Sequence, residues 1–90
     1  MITVHLPGDL AGAFHAPPVV EIAAGSLSGM VRELEGRHPG IRHWLTESDG
    51  SFRQHISVFV GGVRRTTASE TEEELRDGAV VWVLRAVSGG

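Results

Sequence analysis

The sequence predicts an α+β fold in which a mixed sheet of about five strands packs on one main helix. Residues 2–6 (Ile-Thr-Val-His-Leu) alternate apolar and polar side chains, which is typical of a half-buried strand. One apolar stripe at helical spacing follows Ser26, and further alternating segments follow that stripe. The 90 residues suffice for one domain and leave no room for a second core.

The first strand, residues 2–6, is followed by the turn residues Pro7-Gly8-Asp9. Residues 10–18 are rich in glycine, alanine and proline and are predicted to be a loop. Val19–Ile22 is then predicted to be a second strand. Two strands with this connection are expected to form an antiparallel hairpin with a long loop.

The main helix is predicted to begin after Ser26, a favourable N-cap residue. Its apolar stripe has the spacing i, i+3, i+4 and i+7 and consists of Leu27, Met30, Val31 and Leu34. Gly29 weakens the helix, so we expect it to mark close packing on the sheet. The Gly36-Arg37-His38-Pro39-Gly40 run ends the helix. The next turn is expected to cap the edge of the core through Ile41, Trp44 and Leu45.

The second half of the chain opens with a polar loop over residues 46–51. A third strand is predicted over residues 55–60, because apolar residues alternate there. Gly61-Gly62 suits the positive φ angles of a two-residue type I′ hairpin turn. Residues 63–65 then form a short fourth strand.

The last part of the chain contains an acidic segment, residues 69–75, which is predicted to be a short helical turn. Asp77-Gly78 turns the chain into the last strand, residues 79–84. A right-handed crossover through the main helix places the first and last strands side by side and parallel at the centre of the sheet. This arrangement is the β-grasp fold, expected over residues 1–85, with residues 86–90 as a flexible C-terminal tail.

Composition excludes several classes of function. The chain has no cysteine, so disulfides, thiolate metal sites and cysteine nucleophiles are excluded. Its net charge is −3 and it has no basic stripe, which argues against nucleic acid as a partner. It has no signal peptide and no apolar run of membrane-spanning length, so we expect a cytoplasmic protein without membrane contact that is monomeric when free. The five histidines lack metal-ligand spacing, and no metal site is expected.

The chain ends in Gly89-Gly90. Glycine has no side chain, so these residues can enter a channel too narrow for any other residue, where a partner enzyme reaches the terminal carboxylate. All eight positively charged side chains are arginines and lysine is absent. This reflects either the codon usage of a GC-rich genome or the exclusion of amines that an activated C-terminus would acylate.

Three segments carry a resemblance to a known family. They are Val58-Phe59-Val60-Gly61-Gly62-Val63, Leu75-Arg76-Asp77-Gly78-Ala79-Val80-Val81 and Ala86-Val87-Ser88-Gly89-Gly90. Together they resemble the ThiS/MoaD sulfur-carrier family, whose members have the ubiquitin-like β-grasp fold. The likeness is greatest to the actinobacterial type that serves cysteine biosynthesis. The chain departs from the family at Arg85, where many members have proline, and at Ser88, where alanine is common.

The resemblance implies that the chain is a protein co-substrate and not an enzyme. An E1-like adenylyltransferase and sulfurtransferase would convert the Gly90 carboxylate to an acyl-adenylate, and a persulfide or sulfide would convert that to a thiocarboxylate. The thiocarboxylate would donate sulfur to a sulfur-accepting synthase in cysteine, thiamine, molybdopterin or secondary-metabolite formation. Gly89 and Ser88 would give access, and Val87 and Ala86 would form the tail. No cofactor is expected on this chain, since ATP and zinc belong to the activating enzyme.

A partner-docking surface is predicted on the face of the sheet away from the main helix. Strand alternation places four apolar residues on that face: Phe59, Val80, Trp82 and Leu84. Aromatic side chains are common interface anchors, although single exposed apolar residues are also ordinary. Three arginines, Arg64, Arg65 and Arg85, are expected either to rim this surface and pair with an acidic partner or only to be solvated.

Two other functions fit the same sequence. A ubiquitin-like modifier would use the same activation but form an isopeptide bond with a lysine of a target protein. A non-reactive β-grasp interaction domain would have an idle Gly89-Gly90 end. Conjugates in cell extract would favour the modifier, and an unaltered function after removal of Gly90 would favour the interaction domain.

Overall fold

The computed structural model describes residues 1–68 and 75–85, which form five strands and three helices. The strands are β1 (Ile2–His5), β2 (Val19–Ile22), β3 (Ile56–Val60), β4 (Val63–Arg65) and β5 (Val80–Arg85). The helices are α1 (Gly8–Ala13), α2 (Leu27–Arg37) and α3 (Ile41–Leu45). The predicted α+β class and five-stranded mixed sheet are confirmed. Among the described residues, no helix has the length and apolar character needed to cross a membrane.

The strand order in the sheet is β2-β1-β5-β3-β4. β1 runs parallel to β5, with Val4 opposite Val81, and the other neighbouring strands are antiparallel. The first and last strands are therefore neighbours inside the sheet, as the crossover rule predicts. β5 is the middle strand of the five and has a partner on both sides, so the strand that leads to the C-terminus is held inside the sheet.

One face of the sheet forms the core with α2. Its central side chains are at most 1% exposed and comprise Ile2, Val4, Val58, Val81 and Val83. The stripe of α2 covers them, and its predicted members are all buried: Leu27, Met30, Val31 and Leu34. Burial of this apolar surface is the main favourable contribution to folding. We call this side of the sheet the inner face.

The predicted N-cap of α2 is confirmed, because Oγ of Ser26 accepts a hydrogen bond from the backbone N–H of Gly29 at 3.0 Å. The expectation that Gly29 marks close packing on the sheet is wrong. A Cβ at this position would lie 3.2 Å from Oγ of Ser26 and 3.6 Å from Cβ of Ala24. Gly29 is thus crowded by the N-terminal cap of its own helix and not by the sheet.

The segment predicted as a loop after β1 contains a short helix, α1. Its glycines give it poor intrinsic helix propensity, which is why the sequence does not indicate it. Leu10 and Ala11 are 6% and 3% exposed and extend the core. Tertiary burial therefore stabilises a helix that local propensity disfavours.

The turn between α2 and α3 is held by the carboxylate of Glu35. One oxygen accepts from the N–H of Gly40 and the other from the N–H of Arg42, both at 2.9 Å. These two hydrogen bonds hold the pKa of Glu35 below its usual range, with the bond from Gly40 the larger cause. Gly40 has a φ of 100°, and its α-carbon faces the ring of Phe14.

The further turn predicted at the edge of the core is α3. Ile41 and Leu45 are fully buried, as expected. Trp44 differs from the expectation, because it is 46% exposed. Ile41 and Leu45 are four positions apart and share the buried face of α3, and Trp44 lies at the edge of that face.

The two predicted turns near β4 and β5 are present. Gly61 and Gly62 have φ angles of 57° and 81°, as a type I′ hairpin turn requires. Gly78 has a φ of 88° in the turn before β5. β5 is shifted by one residue from the predicted 79–84 and ends at Arg85. The helical turn predicted at residues 69–75 falls largely on residues 69–74, which lie outside the described residues.

Candidate docking face and the end of the central strand

The outer face of the sheet is the one turned away from α2. A row of side chains crosses it, with one residue from each strand in direct register: Val19, His5, Trp82, Phe59 and Arg64. We call these residues the outer row. Leu84 lies on the same face, two positions beyond Trp82 and opposite Ser57. The strand pairing therefore brings together Phe59, Trp82 and Leu84, three of the four apolar residues that the sequence predicts on the docking surface.

Alternation along β5 separates exposed from buried apolar residues. Val80, Trp82 and Leu84 are 41%, 47% and 44% exposed, whereas Val81 and Val83 are buried. Phe59 is half-buried beside Trp82. Neighbouring exposed apolar residues of this kind are typical of a protein-binding surface, and a large aromatic at the centre is typical of an interface anchor.

Two rings of the outer row are stacked. The imidazole of His5 lies parallel to the indole of Trp82, with ring centroids 3.7 Å apart and an interplanar angle of 6°. His5 was missed as a site residue by the sequence analysis. Alternation with the apolar Val4 predicts that His5 lies on the outer face. Its contact with Trp82, however, depends on the register between β1 and β5.

The three arginines predicted around the docking surface are divided between the two sides of the sheet. Arg64 is opposite Phe59 and belongs to the outer row. Arg65 is opposite the buried Val58, and Arg85 is opposite the buried Ile56. Since paired residues share a face, the structure places only Arg64 with the docking surface.

Arg85 is the last residue of β5 and the last described residue before the C-terminal tail. Its guanidinium forms an ion pair with the carboxylate of Asp9 in α1. The hydrogen bond from Arg85 is the main reason that the pKa of Asp9 is held below its usual range. This contact links the end of the central strand to an element far away in the sequence.

The tail residues lie outside the described residues. They are Ala86, Val87, Ser88, Gly89 and Gly90. Their roles, including the reactive carboxylate of Gly90, therefore stay predictions.

The larger surface grooves lie away from the outer face. Two open grooves of about 370 and 520 Å³ lie beside α2 and α3, and both are lined by Glu35, Arg42 and Thr46. The carboxylate of Glu35 already accepts two backbone hydrogen bonds, so its visible role is structural. Within residues 1–68 and 75–85, no group of three or more histidine or carboxylate side chains is arranged to hold a metal ion.

Comparison with solved structures gives full-length similarities. A chain of the BexX/CysO complex of Amycolatopsis orientalis is 26% identical, with a TM-score of 0.84 and all of both chains covered. CysO of Mycobacterium tuberculosis is 22% identical, with a TM-score of 0.81, covering 97% of this chain and all of that one. Small archaeal modifier protein 1 of Haloferax volcanii is 20% identical, with a TM-score of 0.73, covering 96% and 97% of the two chains.

Sequence comparison adds no further relative. No protein-family model matches the chain, and no curated protein sequence matches it. The likeness is therefore carried by the three-dimensional structure, where it extends over the whole chain.

Proposed function

We propose that this chain is a sulfur carrier. Its structural neighbours show that it has the ubiquitin-like fold of the ThiS/MoaD sulfur carriers. Its activating partner would be an E1-like adenylyltransferase, and its acceptor would be a sulfur-accepting synthase in cysteine, thiamine, molybdopterin or secondary-metabolite formation. The observation that carries the proposal is the full-length likeness to the BexX/CysO chain, combined with the Gly89-Gly90 sequence that follows β5.

The proposed chemistry takes place on the carboxylate of Gly90. A carboxylate is a poor electrophile, so attack on ATP first forms a Gly90 acyl-adenylate and releases pyrophosphate. Hydrosulfide then attacks the acyl carbon, the bond to the AMP oxygen breaks, and AMP leaves with that electron pair. The product is a thiocarboxylate whose sulfur is a nucleophile. The chain contributes no catalytic group to these steps and acts as their co-substrate.

The sheet supports this role by its construction. β5 lies between β1 and β3, so the strand before the tail is paired on both sides. The outer row and Leu84 provide the proposed surface for the partner, while Gly89 and Gly90 provide the reacting end. Absence of cysteine and lysine means that no side-chain thiol or amine of the carrier competes for the activated acyl group.

The likeness to the BexX/CysO chain also bears on partners. That chain occurs in a protein complex. On this chain the outer face has Trp82 at its centre, with Phe59 and Leu84 on the same face. We therefore assign docking of both partners to the outer face, where they would bind in turn.

A second candidate function is protein modification. The structural likeness to small archaeal modifier protein 1 favours it. The same acyl-adenylate would then be transferred to a lysine amine of a target protein. The two functions differ in product, since a carrier ends as a free thiocarboxylate and a modifier ends as a conjugate.

The test is intact-protein mass spectrometry after incubation with ATP, sulfide and an E1-like adenylyltransferase from the same genome. A mass gain equal to the replacement of one oxygen by sulfur is expected in the wild type and is expected to be absent after deletion of Gly90. A Trp82→Ala variant should form the product slowly, and a Val63→Ala variant, changed at an exposed apolar residue off the outer face, should form it at the normal rate. Lysine conjugates without free thiocarboxylate would favour the modifier, and absence of any adenylate would overturn both.

A further inference from the structure

A single ion pair ties the end of the central strand to α1. The guanidinium of Arg85 donates to Oδ2 of Asp9, which is 76 residues earlier in the chain. The two side chains are 47% and 52% exposed, so they meet at the surface, where the last residue of β5 passes α1. The tail residues 86–90 follow immediately in the sequence.

The carboxylate of Asp9 is fixed independently of Arg85. Its other oxygen, Oδ1, accepts from the backbone N–H of Leu10 at 2.9 Å. Leu10 is buried in the core, so this N–H does not move freely. Because Asp9 is already ordered, pairing with it costs Arg85 less conformational entropy than pairing with a free side chain would.

Arg85 needs such a support because it occupies the end of the ladder. Its register partner is Ile56, the first residue of β3, and this is the last β3–β5 pair within residues 1–68 and 75–85. A small cavity of about 70 Å³, lined in part by Trp44 and His55, lies beside this last pair. Terminal pairs of a sheet open more easily than interior ones, and fewer packing contacts make opening easier still.

We infer that Asp9 is a positioning residue for the activation step: through Arg85 it holds the last residue of β5, the point from which the chain continues toward Gly90. The inference rests on the proposed function. When the enzyme binds the chain end, that end loses conformational entropy, and this loss weakens binding. A fixed starting point lowers that cost, so Asp9 acts on the KM for the carrier and leaves kcat unchanged, since it does not touch the reacting atoms.

The kinetic test measures pyrophosphate release by the activating enzyme at varied carrier concentration. Asp9→Asn and Arg85→Gln are each expected to raise KM about two- to fivefold, the range of exposed ion pairs. The double variant should be no worse than either single variant, because both changes remove the same contact. Asp49→Asn is the matched control, because Asp49 is an exposed carboxylate whose hydrogen bonds within the described residues come from Ser51. The KM of the activating enzyme for this variant should not change.

A charge swap separates positioning from direct contact. Asp9→Arg and Arg85→Asp each place like charges together, and combining them restores an attractive pair. We expect the combined variant to recover most of the KM lost in either single variant. If it stays as impaired as Arg85→Asp alone, Arg85 contacts the enzyme itself and the positioning role of Asp9 is overturned.

A measurement without the enzyme distinguishes this inference from the proposed function. Backbone ¹⁵N relaxation should show less order at Leu84 and Arg85 in Asp9→Asn than in the wild type, with recovery in the charge-swapped variant. Unchanged order in Asp9→Asn would overturn the positioning role even if the carrier is adenylated normally. Failure of the wild type to be adenylated would instead overturn the proposed function, and the effect on KM with it, whatever the relaxation data show.

Discussion

The imidazole of His5 stacks on the indole of Trp82 with ring centroids 3.7 Å apart, which joins the first and last strands on the outer face. The two residues are direct register partners in the parallel pair, so the backbone brings them together without a special loop. Stacking restricts the indole before any partner binds. A preordered anchor loses less entropy in a complex, which suits Trp82 to the centre of a docking surface.

Trp82→Ala should weaken binding to the activating enzyme by about tenfold or more, as loss of a central aromatic anchor does. Its stability should change little, because Trp82 is 47% exposed. Val63→Ala is the control, since Val63 is 56% exposed but pairs with Val60 and so lies on the side of the sheet away from Phe59 and Arg64. Binding can be measured by calorimetry and stability by thermal unfolding. Equal losses of affinity in both variants would show that the outer face is not the docking surface.

Leu34→Ala should lower the free energy of unfolding by about 2–5 kcal/mol, the usual cost of truncating a fully buried leucine. Leu34 is 0% exposed and is the last residue of the α2 stripe. Leu84→Ala provides the comparison, because Leu84 is 44% exposed on the outer face and its loss should affect partner binding more than stability. Urea unfolding of both variants measures the difference. A similar destabilisation by Leu84→Ala would mean that the outer face is part of the core.

Glu35→Gln should make stability less dependent on pH on the acid side. The pKa of Glu35 is lower in the folded state than its ordinary value, mainly because of the hydrogen bond from Gly40. Its stabilising contribution is therefore fully present above the ordinary pKa and is lost as the pH falls through the folded-state pKa. Denaturant unfolding of wild type and variant should differ at neutral pH and converge in acid. A difference that persists unchanged in acid would show that ionised Glu35 does not hold the turn.

Gly40→Ala should destabilise the fold by about 1–2 kcal/mol, because a residue with a side chain is strained at its φ of 100°. The added Cβ would also lie 3.2 Å from the ring of Phe14. Gly36→Ala is the opposite control, since Gly36 is inside α2 with open space around it and should gain about 0.5–1 kcal/mol. Thermal unfolding of the pair tests both signs. If Gly40→Ala is neutral, the turn between α2 and α3 is adaptable.

Local patterns predicted the main elements because α2 and four of the strands, β1, β2, β3 and β5, each have one buried side. Val58 and Val60 follow a period of two, and Leu27, Met30, Val31 and Leu34 follow the helical period, so both patterns are legible in the sequence. α1 was missed because Gly8 and Gly12 disfavour a helix that only the burial of Leu10 and Ala11 stabilises. Its existence depends on the completed core.

The site was predictable only where alternation decides it. The shared face of Phe59, Trp82 and Leu84 follows from period-2 alternation and is confirmed. The His5–Trp82 stack and the Asp9–Arg85 ion pair each join parts of the chain more than seventy positions apart. Their formation depends on strand register and on where α1 packs, and no local sequence pattern determines either of these.

The parallel pairing of β1 and β5 has a mechanical consequence. Because the strands run the same way, the start of β1 and the end of β5 lie at opposite ends of the pair. A partner that pulls on the C-terminus while the N-terminal end is restrained loads this pair in shear, so its evenly spaced hydrogen bonds resist together and do not open one by one. The pair of β1 and β5 is thus the part of the domain that carries a load applied between its two ends.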